Sequence, residues 1–103
     1  MTLTSKERAA LRAEAHHLVP LVQIGHHGLS DTVLDSLDDA LRTHVLVKIQ
    51  IGRQTELSAR EAAARLAGTM HADVVQVIGR TVTLYRENPE LEQKQGELPP
   101  WRR

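Results

Sequence analysis

The sequence contains no cysteine and no phenylalanine, and aromatic residues make up only 2% of it. Without cysteine there can be no disulfide, no thiolate zinc site and no thiol nucleophile. With so few rings, the core has to be built from Val, Leu, Ile and Ala, and the one tryptophan, Trp101, stands near the C-terminal end. The shortage of rings also argues against a platform that stacks unpaired bases on aromatic side chains. An excess of charge of either sign is missing too: 13 basic and 13 acidic residues give a formal net charge of +0, which speaks against a simple basic clamp for a polyanion. No apolar run approaches the ~18 residues of a membrane-spanning helix. The start, Met1-Thr2-Leu3-Thr4-Ser5, does not have the basic-then-apolar layout of a signal peptide. The expectation is a soluble cytoplasmic protein with no membrane contact.

What is present is 41% hydrophobic residues in a chain of 103, enough for one small domain with one core. Thr4 and Glu7 have the spacing of a capping box, and a helix is expected from Thr4 to about His17, with Leu11, Ala15 and Leu18 on one face. Lys6, Arg8 and Arg12 lie on another face and can form a positive stripe. Leu18 to Ile24 reads as a short strand with Pro20 near its start. Ser30 caps a second helix with the apolar stripe Val33, Leu34, Leu37, Ala40 and Leu41, and Leu29 stapling toward Leu34. Its outer face carries Asp31, Asp35, Asp38 and Asp39. Val45, Val47, Ile49 and Ile51 alternate with Leu46, Lys48 and Gln50 as a strand. Ser58 and Glu61 start a third helix that should end near Gly68 to Met70. Asp73–Ile78 and Thr81–Arg86 are strands joined by Gly79-Arg80, a two-residue loop suited to a type II′ turn. From Glu87 the apolar periodicity stops, and 88–103 reads as a mobile tail on a domain of residues 1–87. The fold class is α/β: helix-strand-helix-strand-helix-strand-strand, a four-stranded mixed sheet with helices expected over one face.

The chemistry concentrates at Ile24-Gly25-His26-His27-Gly28-Leu29-Ser30-Asp31. Two glycines three apart, between a strand and a helix, let the backbone turn sharply and approach a partner closely. The free amides at the start of the following helix face the same loop, so the stretch can hold an anion, phosphate above all. KH domains clamp a nucleic-acid backbone with a loop of this type. His26 and His27 can touch phosphate, gaining charge as pH falls toward the ordinary histidine pKa of ~6.5. Asp31 and Asp35 favour the helix but oppose the anion. RNA is therefore expected along the glycine side of the helix.

The six histidines do not form a metal motif: His16-His17 and His26-His27 are adjacent pairs, with no His-x3-His spacing. There is no Gly-x-Ser-x-Gly, no P-loop and no dinucleotide fingerprint, so the chain reads as a non-enzyme without cofactor or metal.

Several strings, taken in order, resemble the CRM domain (chloroplast RNA splicing and ribosome maturation) in its stand-alone bacterial YhbY-like form. They are Leu11-Arg12 with Ala15-His16 and Leu18, then Pro20, then Val22-Gln23-Ile24-Gly25 through Gly28-Leu29. Val47-Lys48-Ile49, Val75-Gln76-Val77-Ile78-Gly79-Arg80-Thr81 and Leu84-Tyr85-Arg86 follow. The resemblance implies a fold similar to the C-terminal domain of translation initiation factor three, with a KH-like GxxG loop. It also implies RNA binding, and for bacterial members association with rRNA in precursors of the large ribosomal subunit; a monomer is the separate expectation for this chain. The expected RNA contacts are Gly25, His26, His27, Gly28, Lys6, Arg8, Arg12, Lys48, Arg80 and Arg86. One departure stands out: members often have a basic residue inside the loop, where this chain has His26-His27. The alternative is a protein-interaction module that docks a ribosomal or other assembly protein through the acidic helix Asp31–Asp39.

Overall fold

Every helix starts where a hydroxyl takes over an orphan amide. Helix α1 (Ser5–Ala15) has the complete capping box: the Glu7 N–H donates to Thr4 Oγ1 at 3.0 Å and the Thr4 N–H to Glu7 Oε1 at 3.1 Å. Helix α2 (Asp31–His44) is capped by Ser30, whose Oγ accepts from the Val33 N–H at 3.3 Å. Helix α3 (Ala59–Met70) is capped by Ser58, which accepts from the Glu61 N–H and donates its hydroxyl to Glu61 Oε1. The computed structural model describes residues 3–88. Of the tail drawn at 88–103, only Asn88 falls within them; its Nδ2 donates to the Arg42 carbonyl at 2.8 Å, and Trp101 lies outside the described residues.

Strands β1 (Val22–Ile24), β2 (Leu46–Ile51), β3 (Asp73–Ile78) and β4 (Thr81–Tyr85) form one mixed sheet in the order β1-β2-β4-β3. β1 runs parallel to β2, as its helical crossover requires, and the other pairings are antiparallel. The two-residue hairpin forms as expected, with Ile78 opposite Thr81 and Gly79 at φ +57°.

The sheet is covered on both faces, not on one. Val22, Ile24, Val47, Ile49, Ile51, Val82 and Leu84 face α2 and α3, meeting Leu37, Leu41, Ala62, Leu66 and Met70. Leu46, Val75 and Tyr85 face the other way and meet Leu11 and Ala15 of α1, together with Leu3 and Val45. Strand alternation is the cause: Leu46 and Tyr85 pair directly and must share a face opposite to the paired Val47 and Leu84. Both rows are buried, so each needs its own helix, and each fully buried Leu or Ile contributes roughly 1.5–3 kcal/mol.

Three local expectations are corrected. β1 begins at Val22 rather than Leu18, because Pro20 cannot donate to a ladder; only the Leu21 N–H reaches ahead, to the Lys48 carbonyl at 3.1 Å. Val45 is the C-cap of α2 at φ +57° and not a strand residue, so it joins Leu46 on the α1 side instead of Val47. α3 ends at Met70, within the expected range, and is closed by His71 in the left-handed conformation. β3 contains a bulge between Val74 and Gln76. The bulge changes the phase of alternation, sending Val74 and Val77 into the α2–α3 core and Val75 toward α1.

Candidate nucleic-acid interface

β1 is only three residues long, and it delivers the chain into the glycine loop. The Gly28 N–H donates to the Gly25 carbonyl at 2.9 Å, closing a turn with His26 and His27 at its tip. Gly28 takes φ +64°, a conformation that favours glycine. A Cβ at either Gly25 or Gly28 would meet nothing within 4 Å, so the space over both is open. His26 and His27 are exposed, with ring centroids 3.9 Å apart. Ser30 serves the Val33 amide, while the Asp31 and Thr32 N–H groups have no partner among the described residues.

Behind the loop, two more turns close the same end of the sheet. The Gly52 N–H donates to the Ile24 carbonyl at 2.8 Å, and a Cβ at Gly52 would stand 2.8 Å from that oxygen. The Ile51 N–H donates to the Arg80 carbonyl at 2.7 Å, and the Arg80 guanidinium returns a bond to the Gly52 carbonyl at 3.1 Å. The glycine loop, the turn after β2 and the β3–β4 hairpin are thereby tied together. A depression beside the loop is lined by His26, His27 and Gly28, by Gln54 and Thr55, and by Glu61 and Arg65 of α3.

The expected cations divide into three groups. His26, His27 and Arg80 lie together at the loop end, and Lys48 is half-buried on the α1-side face of β2. Lys6 and Arg12 are exposed on α1. Arg8 and Arg86 have internal bonds. Arg8 donates to the Val74 carbonyl of edge strand β3. Arg86 donates to Asp38 Oδ1 at 2.8 Å, to the Asp38 carbonyl at 3.1 Å and to the Met70 carbonyl at 3.2 Å. Asp38 also accepts from Arg42, and these two arginines, Arg42 foremost, hold its carboxyl below the usual aspartate value. Asp38 is therefore absorbed into the fold, and the acidic face of α2 that remains exposed is Asp31, Asp35 and Asp39. Arg65 was not singled out from the sequence. Its only signal there is its place four residues after Glu61, off the buried stripe Ala62, Ala63 and Leu66.

The description of the CRS1 / YhbY (CRM) domain matches residues 3–86, from the first buried leucine to one residue past the last strand. This chain belongs to the CRM domain family. Its relatives include the Probable RNA-binding protein YqeI of Bacillus subtilis, 36% identical over 97 residues that span 94% of this chain and 99% of the relative. The Probable RNA-binding protein MJ0652 of Methanocaldococcus jannaschii is 38% identical over 86 residues, 82% of this chain and 63% of that one. Among solved structures, the hypothetical protein SAV1595 of Staphylococcus aureus, a candidate RNA-binding protein, superposes with a TM-score of 0.75 at 34% identity. The match covers 95% of this chain and 100% of that one.

Proposed function

We propose that this CRM domain is an RNA-binding protein that associates with rRNA in precursors of the large ribosomal subunit, acting as a cytoplasmic monomer without catalysis. The observation that carries the reading is the open, tied-down glycine loop: Gly25 and Gly28 leave room for a close backbone approach, and Gly52 and Arg80 hold the loop in place. The α2 amides supply positive potential at the loop, and His26, His27 and Arg80 surround it. Lys48, Lys6 and Arg12 extend the contact electrostatically. Arg8 and Arg86 contribute by keeping the scaffold rigid. The names of the relatives support RNA as the partner.

Two measurements test this. Sedimentation of the tagged protein through a ribosome gradient should place it with large-subunit precursor particles, and RNase treatment should release it. In solution, Gly28→Asp should abolish RNA binding while the protein still folds, its stability lowered only by the roughly 1–2 kcal/mol that the left-handed backbone costs a residue with a Cβ, whereas Asp35→Lys with Asp39→Lys should bind as well or better. Unchanged affinity in Gly28→Asp sinks the role of the loop. Failure to join the particle after the Asp reversals, with RNA binding intact, would favour docking through the acidic helix.

A further inference from the structure

Helix α1 covers only one end of the sheet face it packs on. Strand register lays out the rest of that face in two rows. Gln23, Gln50, Thr81 and Ile78 form the row next to the glycine loop, and Lys48, Thr83 and Gln76 form the next. No carboxylate stands in either row. Beyond them, where α1 ends, the face drops into a cleft of about 390 Å³ lined by Leu18, Val19, Leu21 and Lys48, with His17, His44 and Glu14 at its polar rim. The large apolar side chains most exposed among the described residues are Val19 at 71%, Ile78 at 60% and Leu21 at 52%. All three border this one surface.

An uncovered sheet face is commonly just a solvated one, but such faces do not collect a chain's exposed apolar groups. Gln23 and Gln50 are exposed and paired across the strands, one residue from the end of β1 and hence from the loop. An amide both donates and accepts, and glutamine pairs bidentately with adenine. Aliphatic side chains can hold the flat face of a base where aromatic ones are missing. Lys48 can neutralise a phosphate between two bases.

We propose that the part of this sheet face left open by α1 binds the bases of a single-stranded RNA segment, with Gln23 and Gln50 selecting adenine and Leu21 and Ile78 supporting the ring faces. This rests on the RNA reading above and adds base selection to the phosphate grip of the loop.

The test uses the full chain and labelled single-stranded homopolymers of adenylate, cytidylate and uridylate in a fluorescence anisotropy titration. The wild type should prefer adenylate by roughly tenfold. Gln23→Ala with Gln50→Ala should bind all three alike, with the salt dependence of the wild type, and Leu21→Asp should weaken all three. Both sites are exposed, and matching melting curves establish that the variants fold. Gly28→Asp should weaken all three together, which separates loop from platform. A wild type that binds RNA without preference, or a glutamine variant that keeps the preference, overturns the platform and leaves the loop reading standing. Leu21→Asp without effect on RNA assigns the apolar groups to a protein partner and likewise overturns it. A wild type that binds none of these RNAs overturns both.

Discussion

Arg86 and Asp38, 48 residues apart in the chain, form the joint between the end of β4 and the middle of α2, with Arg86 Nη1 to Asp38 Oδ1 at 2.8 Å. The same guanidinium reaches the carbonyls of Asp38 and Met70, so α2, α3 and β4 meet on one side chain. Arg86 therefore belongs to the scaffold. Arg86→Ala should lower unfolding free energy by ~1–3 kcal/mol, since it leaves part-buried acceptors without a donor. RNA affinity should change little. Arg86→Lys should recover only part of the loss, because an ammonium cannot fork to several acceptors. Chemical denaturation of the three proteins, with an RNA titration of each, checks this.

The same joint has a pH signature. Hydrogen bonds from Arg42 and then Arg86 lower the Asp38 pKa in the fold below its ordinary 3.8. A carboxyl with a lowered folded pKa stabilises the fold above the unfolded value and loses that contribution as pH falls through the folded one. Wild-type stability should thus decline from about pH 4 downward. Asp38→Asn should be less stable at neutral pH and show a shallower acid decline, so the two curves converge in strong acid. Denaturation midpoints across the acid range measure it. Parallel curves would remove Asp38 from the acid response.

Glycines 25 and 52 should respond oppositely to the same substitution. A Cβ at Gly25 enters open space, whereas at Gly52 it would stand 2.8 Å from the Ile24 carbonyl oxygen. Gly25→Ala should leave the melting temperature unchanged and weaken RNA binding. Gly52→Ala should cost ~1–3 kcal/mol of stability through overpacking and should loosen the loop it backs. Thermal melts and RNA titrations of both variants separate the loop's binding surface from its support.

His71 closes α3 with φ 54° and ψ 46°. The left-handed conformation costs a residue with a Cβ roughly 1–2 kcal/mol relative to glycine. His71→Gly should raise stability by about 0.5–1 kcal/mol, part of the gain being lost to the greater freedom of glycine in the unfolded chain. A denaturant midpoint shifted upward with an unchanged slope is the expected reading.

His71 also illustrates what was legible in the sequence and what was not. Caps and turns depend on neighbours, so Thr4, Ser30, Ser58 and the Gly79-Arg80 hairpin could be read directly. The end of α3 was legible to within the stretch Gly68 to Met70 and falls at Met70, but its left-handed cap at His71 is not a glycine and left no such mark. The bulge at Val74–Gln76 and the turn of Val45 toward α1 break the period of two and leave no mark in composition. The glycine loop was legible because its residues are contiguous. The division of the arginines was not: Arg8 and Arg86 find acceptors 66 and 48 residues away, and spacing cannot show such partners.

The loop histidines carry the last prediction. His27 sits at the exposed tip of the turn closed by Gly28 and Gly25, and the depression beside it contains Glu56 and Glu61 as well as Arg65. A neutral imidazole releases no counterion when it meets a phosphate, while an ammonium does. At neutral pH, His27→Lys should therefore tighten RNA binding and steepen the fall of log K with log salt by about 0.7–0.9 for one added phosphate contact. His27→Ala should leave that slope almost unaltered. Because the tip is exposed, neither change should move the melting temperature. A lysine variant whose slope equals that of the wild type would mean that RNA does not pass over the tip of this loop, and the phosphate path would have to be sought nearer Arg80.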